Sequence, residues 1–187
     1  MNVIETRLPG VLIFEPKVFG DARGFFVETF RESVCRERGI PPFVQDNQSR
    51  SRRGVLRGLH YQLLQPQGKL VRVASGRVFD VAVDVRRGSP TFGQWAGVIL
   101  DDVSHRQFYV PPNFAHGFVV LSDTADFVYK CTDYYHPASE AGIVWNDPDV
   151  GIEWPAEVLD AVLLSDKDRA APRLKDQLAE KLPVYAP

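Results

Sequence analysis

The sequence of 187 residues predicts an all-β protein, a sandwich or barrel of antiparallel strands in a single domain over residues 1–187. Eight segments alternate polar and apolar residues or are rich in β-branched and aromatic residues, and Gly, Pro, Asp or Ser turns separate them. These segments are residues 11–19, 25–30, 55–62, 69–85, 95–100, 106–110, 117–121 and 125–134. With 44% hydrophobic residues and no repeat or linker, the chain is long enough to bury one hydrophobic core.

The clearest strand covers residues 78–85, where two faces alternate strictly. One face carries Phe79, Val81, Val83 and Val85, and the other carries Asp80, Ala82 and Asp84. The second face is therefore a candidate for the lining of a polar cavity.

Signals for helices are sparse. Residues 32–38, which Gly39 follows, form one expected short helix, and residues 172–181 form another near the C-terminus. Neither is long enough to organise the fold. We expect residues 182–187 to be a loosely held tail.

Composition excludes several classes of protein. A net charge of −2 and a pI near 6.1 do not indicate a nucleic-acid partner, so local arginines and lysines must meet any anionic ligand. Cys35 and Cys131 lack the spacing of a zinc site or a disulfide scaffold, and we expect buried, reduced thiols. Because the sequence shows neither a signal peptide nor a long apolar run, we expect a cytoplasmic protein without a membrane partner.

Two histidines lie close to a glycine in strand-like contexts: His60 in RGLHYQ and His116 in FAHGF. A histidine in a strand is commonly structural. However, Arg57, Gln62 and Lys69 surround His60 with more polar chemistry than a strand in the core needs. This density favours a functional His60.

A metal site is the first hypothesis to test for such a histidine pair. Metal-binding cupin barrels typically use an HxH motif with a following glutamate and a distant histidine. Here Gln62 replaces the second histidine, and no glutamate lies between His60 and His116. Two remaining ligands are too few for a tight divalent site, so we predict no metal.

Without a metal, a neutral imidazole is suited to proton transfer near neutral pH if a carboxylate supports the charge it gains. Asp84 and Asp168 are both candidates, and their spacing does not choose between them. Tyr134, at the end of a predicted strand in YKCTDYYHP, is either a proton-donating phenol or a packed ring with its hydroxyl in solvent.

Seven motifs in order resemble those of the dTDP-4-dehydrorhamnose 3,5-epimerase family, from about Leu8 to Pro172. They are RGLHYQ, QGKLVRVASGRVFDVAVDVR, SPTFGQW, PPNFAHGF, YKCTDYY, WNDPDVGIEWP and LSDKD. The resemblance implies a cupin-type jelly-roll barrel with a few short helices, mainly near the C-terminus. It also implies a homodimer in which an N-terminal segment of one subunit helps to complete the partner's site.

The resemblance further implies the reaction and its residues. The substrate would be a dTDP-linked 4-keto-6-deoxyhexose in dTDP-L-rhamnose biosynthesis, inverted at both carbons beside the ketone without a cofactor. His60 would be the base and Asp168 its orienting carboxylate, with Asp84 a second candidate contact. Lys69 would support the oxyanion, Tyr134 would reprotonate carbon from the other face, and His116 would line the same cavity.

The same resemblance supplies residues for the nucleotide. Arginine and lysine match the oxygens of a diphosphate. The residues implied are Arg23, Arg57 and Lys167 for the diphosphate, Gln45 and Asn47 near the sugar or phosphates, and Phe26 and Glu28 for the thymidine.

Three alternatives remain beside this interpretation. One is a related epimerase that acts only at C3 or only at C5. The second is a non-catalytic cupin module that binds a nucleotide sugar, which the presence of a base, a phenol and a lysine disfavours. The third is a metal-dependent cupin oxygenase or isomerase, disfavoured by Gln62 and the missing glutamate.

Overall fold

A computed structural model describes residues 1–186 and confirms an all-β fold with a few short helices. The strands are β1 (Asn2–Glu5), β2 (Leu12–Glu15), β3 (Val18–Asp21), β4 (Gly24–Val27), β5 (Gln45–Arg52), β6 (Leu56–Gln62), β7 (Lys69–Ser75), β8 (Arg77–Asp84), β9 (Trp95–Asp101), β10 (Gln107–Val110), β11 (Phe114–Val120), β12 (Thr124–Cys131) and β13 (Glu140–Gly142). The helices are α1 (Glu32–Glu37), α2 (Ala156–Leu159) and α3 (Asp166–Arg169), with 3₁₀ turns at Pro137–Ser139, Leu174–Asp176 and Ala179–Lys181.

Two antiparallel sheets form the jelly roll. The first has the strand order β1-β2-β10-β7-β12-β5, and the second has the order β13-β6-β11-β8-β9. Strands β3 and β4 form a separate hairpin, called the arm here. The main core contains Val71, Phe108 and Phe127 of the first sheet with Val78 and Leu100 of the second, so it fills the space between the two sheets.

Strand β8 is buried on both faces. Val81 and Val83 pack on a second apolar cluster that includes Trp154 and Val158, so the chain after β13 covers the outer face of this sheet. Asp80 and Asp84, on the opposite face, are both fully buried. Burying two carboxylates is costly unless each is paired or hydrogen-bonded, which constrains their surroundings.

Strands β6 and β11, which hold the two histidines, pair side by side and approach each other unusually closely at Gly117. A Cβ on Gly117 would lie 2.6 Å from the Arg57 carbonyl oxygen and 2.9 Å from the Leu59 side chain. The pairing shifts between His116 and Phe118, and on one side of this shift His116 lies directly opposite His60. The glycine therefore allows the approach that places both histidines side by side.

The predicted helices have mixed outcomes. The helix predicted over residues 32–38 is confirmed as α1, and Gly39 follows with a φ of +71°. The helix predicted over residues 172–181 is wrong, because two separate 3₁₀ turns occupy this region. Asp147 accepts a hydrogen bond from the Leu174 backbone at 2.7 Å, and the Gln177 side chain donates to the Gly142 carbonyl at 3.0 Å, so tertiary contacts hold this segment.

The prediction of a loose tail is also wrong for residues 182–186. The Arg87 backbone N–H donates to the Pro183 carbonyl at 2.8 Å, and the Tyr185 N–H donates to the Arg87 carbonyl at 3.0 Å. The Arg86 guanidinium lies over the Tyr185 ring, 5.0 Å from its centroid. Pro187 lies outside the described residues.

Two further expectations bear on composition. Cys35 and Cys131 are buried free thiols, as predicted. Among residues 1–186, no helix has the length and apolar character needed to span a membrane.

The close approach of β6 and β11 at Gly117 predicts that Gly117→Ala destabilises the protein. Overpacking of this kind costs about 1–3 kcal/mol, which lowers the Tm of a domain of this size by several degrees. Thermal unfolding followed by circular dichroism measures the effect. Gly20→Ala is the matched control, because a Cβ there would meet only the Gly24 carbonyl oxygen at 3.8 Å. Equal Tm values for the two variants would contradict the steric argument.

Candidate active site

A cavity of about 560 Å³ lies between the two sheets, beside α3. It is called the main cavity below. Its polar lining consists of Ser49, Arg52, Arg57, His60, Lys69, His116, Tyr129, Ser165, Lys167 and Asp168. Apolar side chains such as Leu56, Phe118 and Phe127 complete the wall. The mixture suits a ligand that has both an apolar body and charged groups.

His60 and Asp168 form a close pair. The His60 Nε2 lies 2.6 Å from an oxygen of Asp168, although 108 residues separate them in the chain. With Nε2–H donating to the carboxylate, the lone pair of the imidazole is on Nδ1. A carboxylate in this position fixes the tautomer and supports the imidazolium that forms when Nδ1 takes a proton.

Asp168 is held rigidly in α3. The Ser165 hydroxyl caps this helix by accepting a hydrogen bond from the Asp168 backbone N–H at 3.1 Å. The Asp168 side chain is only 4% exposed. Burial acts to raise the pKa of Asp168, but the hydrogen bond and charge of His60, helped by Ser165, hold this pKa below its usual value. The group is therefore an anion next to His60.

Asp84, the other candidate partner of His60, has a different environment. Its carboxylate accepts hydrogen bonds from Arg86 at 2.7 and 2.9 Å, from Ser89 at 2.6 Å and from Thr91 at 2.6 Å. It lies at the end of β8, and its contacts organise the turn that follows. The open choice between Asp84 and Asp168 is thus decided for Asp168 by the fold.

His116 has its own carboxylate partner. Its Nε2 lies 2.9 and 3.1 Å from the two oxygens of Asp80, which is fully buried on the neighbouring strand β8. Burial raises the pKa of Asp80, while the charge and hydrogen bond of His116 and the nearby Lys69 oppose that rise. Asp80, on the polar face predicted for β8, thus contacts His116, which lines the main cavity.

Lys69 begins β7, on the sheet that faces His60 and His116. The residue is partly buried, and it lines the main cavity. Loss of hydration lowers the pKa of Lys69, and the nearby groups Cys131, Glu140 and Asp80 oppose that effect. A cation held in such a place interacts strongly with any negative charge that develops in the cavity.

The structure does not bring Tyr134 into the main cavity. Tyr134 follows the end of β12, and the residue is 58% exposed. Tyr129 lines the cavity instead, because it shares a face of β12 with Phe127. The structure therefore places Tyr134, the predicted proton donor, outside the main cavity and places Tyr129 of the same motif in its lining.

The predicted phosphate and sugar contacts divide into two groups. Arg57 and Lys167 line the main cavity. Two guanidinium nitrogens of Arg57 donate to the Ser51 hydroxyl, at 3.1 and 3.2 Å. Gln45 and Asn47 lie on β5 beyond the lining, and the Gln45 side-chain amide donates to the Asn47 side-chain Oδ1 at 3.2 Å.

The remaining predicted residues lie in or next to the arm, away from the main cavity of the same chain. Arg23 pairs with Asp21 at 2.6 Å, and Glu28 pairs with Arg31 at 2.9 Å. Phe26 is 69% exposed on β4. A single chain therefore does not place these three side chains beside His60.

Comparison with known proteins identifies the family. The model of the dTDP-4-dehydrorhamnose 3,5-epimerases matches residues 5–176. The chain belongs to this family. The dTDP-4-dehydrorhamnose 3,5-epimerase of Pseudomonas aeruginosa is 56% identical over 178 residues, which cover 94% of this chain and 97% of the relative.

Solved structures of the family agree with the fold. The dTDP-6-deoxy-D-glucose-3,5-epimerase of Legionella pneumophila, in complex with dTDP-4-keto-L-rhamnose, has a TM-score of 0.96 and 57% identity, covering 100% of this chain and 99% of that one. A 3′-monoepimerase of Streptomyces bikiniensis in complex with dTDP-quinovose has a TM-score of 0.89 and 39% identity, covering 96% and 92%. Cupin-type epimerases of both specificities thus share this architecture.

Two polar residues of this region, Tyr129 and Glu140, are not predicted from the sequence. Tyr129 could have been found from its strand alternation with Phe127. Glu140, on β13, pairs with Lys167 at 2.6 Å and lies 3.8 Å from the His60 Nδ1. No sequence spacing signals Glu140, because it reaches His60 only through the pairing of β13 with β6.

The contacts of Asp84 predict a pH-dependent contribution to stability. Burial acts to raise its pKa, but the hydrogen bonds of Arg86, Ser89 and Thr91 outweigh this effect and hold it below the ordinary value of 3.8. Since the folded-state pKa is depressed, the stabilisation is complete above that ordinary value and is lost as pH falls towards the folded-state pKa.

Asp84→Asn should therefore lower the free energy of unfolding at pH 7 by about 1.5–3 kcal/mol, the scale of hydrogen bonds to a charged group. The difference from wild type should shrink below pH 4. Urea unfolding at a series of pH values measures it, with the exposed Asp160→Asn as the control. A difference that grows on acidification would contradict the assignment.

Proposed function

We propose that this protein is a dTDP-4-dehydrorhamnose 3,5-epimerase, which converts dTDP-4-keto-6-deoxy-D-glucose to dTDP-4-keto-L-rhamnose. The observation that carries the proposal is the pairing of His60 with Asp168 at 2.6 Å on a cavity that Lys69 also lines. Membership of the family supplies the substrate class. The proposed reaction uses side chains alone and needs no cofactor.

The chemistry of the substrate defines what the cavity must provide. The C3 and C5 protons are acidic only because the C4 ketone can hold negative charge as an enolate. The site therefore needs a base, a group that stabilises the enolate oxygen and an acid on the opposite face. His60, with its Nδ1 lone pair and Asp168 behind it, is the base in this proposal.

Lys69 is suited to stabilise the enolate oxygen, and His116 lines the same cavity beside it. The loss of one oxyanion donor typically costs roughly 2.7–4 kcal/mol. A lysine that is already desolvated needs little reorganisation when the enolate forms. Asp80 orients His116, because one of its oxygens lies 2.9 Å from the His116 Nε2.

Tyr129 replaces Tyr134 as the acid in this proposal. His60 lies on the second sheet and Tyr129 on the first, so the two groups belong to opposite walls of the main cavity. A sugar ring between the sheets would meet the base on one face and the phenol on the other, as inversion requires. Burial raises the pKa of Tyr129, which keeps the phenol protonated at neutral pH.

Nucleotide binding in the proposal uses both the cavity and the arm. Arg57 and Lys167 lie in the lining, where a diphosphate would meet them. Arg23, Phe26 and Glu28 would act across a homodimer, with the arm of one subunit reaching the partner's cavity. The exposure of Phe19, Phe25 and Phe26, each above half, supports an arm that packs on another surface. A cytoplasmic location belongs to the proposal and agrees with the free thiols of Cys35 and Cys131.

An epimerase that inverts only one carbon is the second candidate function. The Streptomyces bikiniensis 3′-monoepimerase shares the fold at 39% identity. The 3,5-epimerases of Pseudomonas aeruginosa and Legionella pneumophila reach 56% and 57%. The higher similarity favours double epimerisation.

Proton NMR of dTDP-4-keto-6-deoxy-D-glucose incubated with the protein in deuterated water tests the proposal. We expect deuterium at both C3 and C5. His60→Ala should reduce the exchange by about 10²–10⁴-fold, the usual contribution of a general base. Label at one carbon would select the monoepimerase, and no label would refute the enzymatic function. Normal exchange by the variant would show that His60 is not the base.

The two tyrosines offer a matched pair of variants. Tyr129→Phe should lower kcat for double epimerisation by about 10²-fold or more, because the proton donor is lost. Tyr134→Phe should change kcat by less than threefold, because that side chain lies outside the main cavity. Steady-state kinetics with the natural substrate measures both. The reverse pattern would restore Tyr134 as the acid.

A further inference from the structure

A second cavity, of about 420 Å³, lies on the other side of the His60–Asp168 pair. It is called the outer cavity below. His60, Lys167 and Asp168 line both cavities, whereas Glu140 lines only the outer one. The outer cavity reaches the surface, since the side chain of Lys167 is 57% exposed and Leu178 is 58% exposed. The catalytic imidazole thus separates the substrate cavity from a second opening.

Glu140 is the carboxylate that faces His60 from this opening. One of its oxygens lies 3.8 Å from the His60 Nδ1 and 2.6 Å from the Lys167 ammonium, and the other accepts a hydrogen bond from the Tyr135 hydroxyl at 3.0 Å. The distance to Nδ1 is one that a small side-chain rotation or one bridging water closes. Burial acts to raise the pKa of Glu140, but Lys167, Tyr135 and His60 together hold it below its usual value.

Double epimerisation creates a need that single epimerisation lacks, and this step rests on the proposed function. After the first inversion, His60 carries the proton taken from the sugar, and Tyr129 has given its own proton to the same carbon. The second inversion requires a neutral His60 and a protonated Tyr129. A substrate that fills the main cavity would block the direct way from His60 to solvent.

We propose that Glu140 relays the proton of His60 to solvent through the outer cavity, so that the base acts twice in one binding event. The N–H bond at Nδ1 breaks, the proton passes by way of the Glu140 carboxylate to water, and the imidazole becomes neutral. Water returns one proton to the Tyr129 phenolate, so the protons balance. Glu140 therefore acts on the reaction through His60.

Asp168 is unsuited to this task. It bonds to Nε2 and not to Nδ1, and its side chain is 4% exposed. A proton on Asp168 would remove the negative charge that holds the imidazole in place. Glu140, by contrast, contacts Tyr135, which is 54% exposed, and Lys167, while Lys181 lines the same cavity. Lys167 and Tyr135 help to hold the pKa of Glu140 below its usual value, and the Glu140 side chain is 16% exposed, more than that of Asp168.

The test is Glu140→Gln, assayed with the natural substrate by NMR in deuterated water under single-turnover conditions. The first deuterium should enter at a rate within about threefold of wild type, whereas the second should enter at least tenfold more slowly. Sugar labelled at only one carbon should therefore accumulate. Glu157→Gln, whose carboxylate lies 4.0 Å from Arg77 on the surface, should behave like wild type.

Chemical rescue separates a relay from a purely structural role. In Glu140→Ala, added formate should enter the outer cavity and restore the second labelling step, which a packing defect would not allow. An unchanged ratio of singly to doubly labelled sugar in Glu140→Gln overturns the relay, as does an equal loss at both carbons without rescue by formate. Wild-type protein that fails to label both carbons would refute the proposed double epimerisation instead, so the two failures are distinguishable.

Discussion

The contact between His60 and Asp168 is the interaction on which the rest of the site depends. It joins a strand in the middle of the chain to a four-residue helix near its end. Backbone hydrogen bonds hold these two parts of the chain together. The Leu56 N–H donates to the Leu163 carbonyl at 3.0 Å, and the Leu163 N–H donates to the Gly54 carbonyl at 2.8 Å. The chain after β13 is therefore fastened to the start of β6 just before it delivers Asp168.

Burial of charge gives the cavity its chemical character. Desolvation lowers the pKa of Lys69 and raises that of Asp80. These costs are offset where opposite charges and hydrogen bonds are close, as His116 shows with Asp80. In the proposed reaction, the same fixed groups would meet a developing enolate without reorganising, which is the advantage of a preorganised polar site. Carboxylates lie behind the histidines, and the cation and phenol occupy the facing sheet.

Strand alternation made much of the fold predictable, and irregular segments made the rest unpredictable. The faces of β8 follow directly from a period of two residues, as does the inward direction of Tyr129. Tyr134 was misplaced because β12 ends at Cys131, and alternation has no meaning beyond a strand. Residues 172–181 have helical composition, yet the contacts of Asp147 and Gln177 hold them in two short turns.

The sequence by itself determined the all-β class and the family motifs, including the RGLHYQ segment that contains His60, because strand period and motif order are local properties of the chain. Only the tertiary structure placed Asp168 and not Asp84 beside His60, lined the main cavity with Tyr129 and not Tyr134, and brought Glu140 to 3.8 Å from the His60 Nδ1. Each of these depends on contacts between residues far apart in sequence, such as the 2.6 Å contact across 108 residues. Spacing along a chain carries no information about such distances until the sheets pack.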